Sequence, residues 1–242
     1  MSDGRFIYTF EEGDRNDRML LGGKGANLCA MTQIGLNVPP GFVITTAACL
    51  AYLDSQRLPD GLMDGVRAHI ATLERKTGKG FGSPGNPLLV SVRSGSAMSM
   101  PGMMDTILNL GLNAATLKGI AAQTGNPRFA WDAYRRFIQL FGKIAMGVPD
   151  EAFDAAMTAI KRKHRAVHDV ELTAEALQEL ADAFLAVYRE HAGGPLPADP
   201  FAQLEHSIRA VFQSWNGKRA VDYRNKEKIS HTLSTDHRAN LY

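Results

Sequence analysis

The sequence predicts an α+β fold: a mixed α/β lobe over residues 1–113, a helical lobe over 114–198, and a segment, 199–229, whose helix returns to the first lobe. Three observations predict it. The first half is rich in glycine and proline and changes element often. Within it, Pro87 to Arg93 (PLLVSVR) is apolar and β-branched, the composition of a strand. From about Ala114 onward the texture becomes helical, punctuated by Pro127, Pro149, Pro195, Pro197 and Pro200.

Phe6 to Phe10 is a short apolar-aromatic run and reads as a strand. Leu28, Met31 and Ile34 recur at helical spacing, and Gly35 suits the position just past a helix end. Pro39 and Pro40 forbid continuation of that helix, and Phe42 to Thr45 reads as the next strand. Thr45 or Thr46 can cap a helix from Ala47 to about Ser55. Leu62, Val66, Ile70 and Leu73 mark an amphipathic helix. The helical half divides into 114–124, 127–144, 151–166, 173–192 and 199–216. Residues 230–242, SHTLSTDHRANLY, are polar and lack strand periodicity, which reads as a divergent or disordered tail.

Composition narrows the function classes. The 242 residues are 45% hydrophobic and 21% charged, with a formal net charge of +2. That balance points to neither nucleic acid nor an anionic membrane surface as a partner. No run approaches the roughly 18 apolar residues of a membrane span. The N-terminus MSDGRFIYTFEEGD lacks a signal-peptide pattern, so the cytoplasm is the expected compartment. Cys29 and Cys49 form no CxxC and read as reduced thiols.

Three segments can carry chemistry. In Leu21-Gly22-Gly23-Lys24-Gly25-Ala26-Asn27, glycines flank a lysine just before a helix. Glycine lets the backbone approach a ligand closely, a helix start offers free N–H groups to anions, and lysine adds a compact charge suited to phosphate. The pattern is not GxxxxGK[ST], so a glycine turn with a solvated lysine is the alternative. In the second segment, Ser91 to Thr106, Arg93 ends the apolar strand, where its fork could grip two phosphate oxygens or make a structural ion pair. In the third, FAWDAYRRFIQLFG, Arg135 and Arg136 read as a solvated pair on a helix with a buried face. The seven histidines form no glycine- and threonine-rich phosphohistidine motif. His164 and His168 stand four apart, but Lys161, Arg162, Lys163 and Arg165 make a cationic face that opposes metal binding, so no metal site is assigned.

GGKGANLCAMTQIGLNVPPGFVITT, LLVSVRSGSAMSMPGMMDTILNLGLN, FAWDAYRRFIQLFG and FQSWNGKRAVDYR together resemble the opening of pyruvate, phosphate dikinase, from about Tyr8 to about Ile229. Phosphoenolpyruvate synthase shares the glycine loop and the arginine, while SMPGMMDTILNLGLN favours the dikinase. The resemblance implies an incomplete ATP-grasp-like nucleotide-binding domain with an inserted helical lobe. It implies ATP and Mg²⁺ as cofactors, and conversion of ATP, phosphate and pyruvate to AMP, pyrophosphate and phosphoenolpyruvate. The β-phosphate of ATP would pass to a histidine on a separate domain, which carries it to a pyruvate-binding domain. Carried over by position, Lys24 and Arg93 would contact ATP phosphates and act catalytically, with Gly22, Gly23 and Gly25 as a loop over them. Ser94, Met104, Asp105 and Thr106 would line the same cleft. Arg136 and Arg219 would face the docking phosphohistidine domain. The family's metal-holding side chains would lie in a continuation that 230–242 does not resemble, since Asp105 alone is a thin metal site. The expectation is a dikinase fragment inactive by itself, with a synthase-type fragment or a non-catalytic nucleotide-binding module or remnant as alternatives.

Overall fold

A computed structural model describes residues 5–98, 100 and 105–229. Their contacts form two compact units: 5–77, 94–98, 100, 105 and 211–229 make the first, and 78–93 with 106–210 make the second. Each unit therefore has its own core. Residues 78–93 and 106–113 group with the helices rather than with the rest of the expected first lobe.

In the first unit, β1 (Ile7–Thr9) leads to α1 (Arg18–Gln33) and then to β2 (Phe42–Ile44), which pairs antiparallel with β1 through Tyr8↔Val43. Asp17 caps the start of α1 by accepting from the Leu20 N–H. Gly35, at φ 83°, stands just past its end, as its position in the sequence predicts. Phe10, Leu21, Ala26 and Cys29 form the core under α1. Thr45 caps α2 (Thr46–Ser55) by accepting from the Ala48 N–H. In α3 (Leu62–Thr77) the buried residues are Leu62, Val66, Ile70 and Leu73, the apolar positions of the sequence pattern.

The second unit opens with β3 (Gly80–Phe81), parallel to β4 (Pro87–Leu88). The single strand expected from Pro87 to Arg93 is in fact two. After Leu88 the chain changes partner, and β5 (Val90–Arg93) pairs antiparallel with β6 (Thr106–Leu110). Val90 faces Leu110 and Val92 faces Ile107, so β6 carries an extra residue in a bulge, with Asn109 at φ 61°. Asn113 caps α4 (Ala114–Thr124) in a capping box with Thr116, and Asn126 caps α5 (Pro127–Met146). Next come α6 (Asp150–His164) and α7 (Ala174–Ala192), the latter capped by Thr173. Helix α5 packs against β6, α4, α6 and α7, and Phe137, Phe141, Phe153, Phe184 and Tyr188 fill the centre with almost no exposure.

The expected 199–216 helix is α8 (Pro200–Gln213) followed by a 3-10 turn, Ser214–Asn216. Its last residues belong to the first unit, as does α9 (Lys218–Lys226). The sequence reading had not separated α9 as an element. Residues 230–242 and Met104 lie outside the described residues.

Candidate phosphate-binding residues

Gly22 breaks α1. Its φ of 68° and ψ of 158° are not helical, so a first short turn ends there and a fresh helix start follows at Gly23. That start carries Lys24, which is exposed. The residues after β5 lie against this turn. The Gly23 N–H donates to the Ser96 carbonyl at 2.7 Å. A Cβ on Gly22 would stand 2.8 Å from the Gly95 carbonyl oxygen, and one on Gly23 would stand 3.3 Å from the Ser96 oxygen. A Cβ on Gly25 would meet Val43 of β2 at 2.9 Å. These glycines therefore have packing reasons: two admit the 95–96 backbone, and the third admits a strand. Gly25 is also buried between helix and strand.

In the second unit Arg93 ends β5, exposed, opposite Thr106 at the start of β6. Its side chain has no hydrogen bond or ion pair among the described residues. The structural ion pair that competed with a ligand role is thus not found among them. The other arginines singled out are paired. Arg135 bonds Asp132 at 2.8 Å and Asp169 at 3.2 Å and is only 5% exposed. It is not the solvated residue that the sequence suggested. Arg136 pairs with Asp132 at 3.0 Å and borders an open recess with Asn109 and Gln139. Asp169 also binds Lys161, which with Arg135 holds its carboxyl below the usual aspartate range.

In the first unit, Arg219 pairs with Asp105 at 3.1 Å. Asp105 is thereby engaged by a cation, and the described residues contain no group of three or more His, Cys, Asp or Glu placed to hold a metal ion. They do not fit a Mg²⁺ site. Ser94 is half-buried at the start of the 94–105 segment. Cys29 and Cys49 are free thiols, and burial pushes Cys49 up to about 12. No described helix is long and apolar enough to cross a membrane.

Comparison with known proteins gives the class of the chain: an adenine-nucleotide-binding domain. The family described as pyruvate phosphate dikinase, AMP/ATP-binding domain, matches residues 18–64 and 55–235. The chain is 54% identical over 225 residues to the pyruvate, phosphate dikinase of Entamoeba histolytica, covering 93% of this chain and 25% of that protein. It is 48% identical over 227 residues to that of Clostridium symbiosum, covering 93% and 26%. A chloroplastic relative from Arabidopsis thaliana is 44% identical over 229 residues, covering 93% and 24%. The chain belongs to the pyruvate phosphate dikinase AMP/ATP-binding domain family. It spans about a quarter of the length of these curated relatives.

Proposed function

We propose that this chain is the ATP-binding portion of a pyruvate, phosphate dikinase, with Lys24 and Arg93 contacting nucleotide phosphates. In this reading the whole enzyme turns ATP, phosphate and pyruvate into AMP, pyrophosphate and phosphoenolpyruvate in the cytoplasm, and the domain is ATP-grasp-like. Similarity to proteins named as dikinases favours this over a phosphoenolpyruvate synthase. The observation that carries the residue assignment is the contrast among arginines. Arg135, Arg136 and Arg219 are each neutralised by a carboxylate, whereas Arg93 stands exposed and unpaired among the described residues.

The chemistry asked of these residues is electrostatic. Phosphoryl transfer needs the charge on the moving group neutralised and its oxygens aligned, and there is little covalent work for the protein. Arg93 would offer a planar two-pronged donor and Lys24 a point charge. Ser94, Met104 and Thr106, with Gly22, Gly23 and Gly25, are proposed as cleft lining, and Arg136 and Arg219 as docking residues for a phosphohistidine domain. The phosphohistidine, the pyruvate site and the Mg²⁺ ligands would lie outside the described residues, so binding without turnover is expected of this chain by itself.

Calorimetry with ATP and a non-hydrolysable analogue tests the assignment. A hydrogen bond to a charged group contributes about 1.5–3 kcal/mol, so Arg93→Ala or Lys24→Ala should weaken binding roughly 10- to 150-fold. Tight binding that survives Arg93→Ala would remove that residue from the site.

A further inference from the structure

Residues 94–105 carry Ser94 and Asp105, and three contacts inside the first unit hold the described part of this segment. Ser96 accepts the Gly23 N–H. Met100 is buried in a cluster with Trp215 and Ala220, flanked by Leu53, Tyr223 and Ile229. Asp105 accepts from Arg219 Nη2 at 3.1 Å. Two of these three anchors thus draw on one stretch, the 3-10 turn and α9.

That stretch is itself braced by a buried cation. Arg224 is 1% exposed, its guanidinium lies 4.1 Å over the Trp215 ring, and its Nη1 donates to the Trp215 carbonyl at 2.5 Å. Burying a charge is costly, and an apolar side chain could fill the space. Only a planar cation can stack on the indole and hold the same residue's carbonyl, which fixes where the ring faces. Trp215 is in turn the wall against which Met100 sits.

We propose that α9 positions the described residues of this segment, 94–98, 100 and 105, for nucleotide phosphate, with Arg219, Asp105 and the Trp215–Arg224 clip as positioning residues. This rests on the reading that the segment borders the nucleotide. Asp105 then serves as Arg219's counter-charge rather than as a metal ligand. The pair is largely exposed, with Arg219 at 66%, so it adds little to overall stability. Its removal should shift the segment and leave the fold.

The experiment compares Asp105→Asn, Arg219→Gln, the double variant and the charge swap Asp105→Arg/Arg219→Asp in the full chain. ATP affinity is read by calorimetry, and exchange of the Gly23 amide by mass spectrometry. Each single variant should weaken affinity about two- to fivefold, the double no further, and the swap should restore it. The Gly23 amide, whose acceptor is Ser96, should exchange faster in both single variants and recover in the swap. Unchanged affinity in the singles, while Lys24→Ala weakens binding, would overturn the proposal, as would additive losses in the double. If the wild type binds no nucleotide, the functional reading fails by itself. The Gly23 exchange then decides the positioning claim: faster in the singles and recovered in the swap supports it, and unchanged rates overturn it.

Discussion

Gln203 is a heavily used buried polar side chain of the second unit, and replacing it by leucine should destabilise the protein measurably. The residue has no exposure. Its Oε1 accepts the Gly111 N–H at 2.9 Å, and its Nε2 donates to the Leu112 carbonyl at 2.9 Å and the Pro197 carbonyl at 2.7 Å. Leucine has similar bulk and none of these contacts. One N–H and two carbonyls would lose their partner. A buried group left unpaired costs about 1–3 kcal/mol, with carbonyls at the low end because a second lone pair can find another donor. Added apolar burial returns about 1–2 kcal/mol. The net expectation is about 2–3 kcal/mol, or roughly 4–12 °C in Tm for a chain of this size. Far-UV circular dichroism is the assay, since the second unit holds most of the helix. Because Gly111 directly follows β6, the strand paired with Arg93, the same variant should weaken ATP binding. A Tm lowered by less than about 2 °C would refute the accounting, showing that water or neighbours replace all three bonds.

Three other outcomes follow from the same geometry. Asp169 titrates below its ordinary value because Lys161 and Arg135 bind its charged form. Its contribution is therefore fully present above the unfolded aspartate value and is lost as pH falls through the lower folded one. Asp169→Asn should lower stability at neutral pH, flatten the acid limb of a stability–pH curve below about pH 4, and leave the low-pH end little changed. Cys49, raised to about 12 by burial, should resist iodoacetamide at pH 8 in the native protein and react once the chain is unfolded in urea. Gly22→Ala should weaken ATP binding more than Gly23→Ala. The first forces a residue with a Cβ to φ 68° and presses it 2.8 Å from a carbonyl, while the second meets its neighbour at 3.3 Å; calorimetry on both variants decides the order.

Helices were the legible part of this sequence because their punctuation is local. Asn113, Asn126 and Thr173 each stand next to the helix they cap, and Gly125, Gly147 and Gly193 each stand just past a helix end in the left-handed conformation. Strands were less legible because pairing is non-local. PLLVSVR is apolar from Pro87 to Val90, so nothing in it marks residue 89 as the point where the partner changes from β3 to β6. TILNL went unassigned because its alternation is interrupted by the bulge at Asn109, and its partner lies across the 94–105 segment. Arg135 and Arg136 are adjacent in sequence, yet only one turns toward Asp169, 34 residues away. A helical period places Arg135 near the buried edge of α5, but it cannot say that a carboxylate waits there.

The glycine run shows why part of the candidate site was legible for a reason other than the one the pattern offered. A glycine run ahead of a helix invites a ligand reading, because a bare backbone can approach an anion. In the structure the same bareness already serves the chain: Gly22 and Gly23 admit the backbone at 95–96, and Gly25 admits Val43. Close approach between two stretches of backbone and close approach to a phosphate select the same residue, so glycine alone cannot separate them. Charge can. An exposed lysine on the helix start, and a strand-end arginine that meets no carboxylate among the described residues, both suit an anionic ligand. The ligand reading therefore rests on Lys24 and Arg93, and the glycines support it only by holding 95–96 against the helix start that carries Lys24.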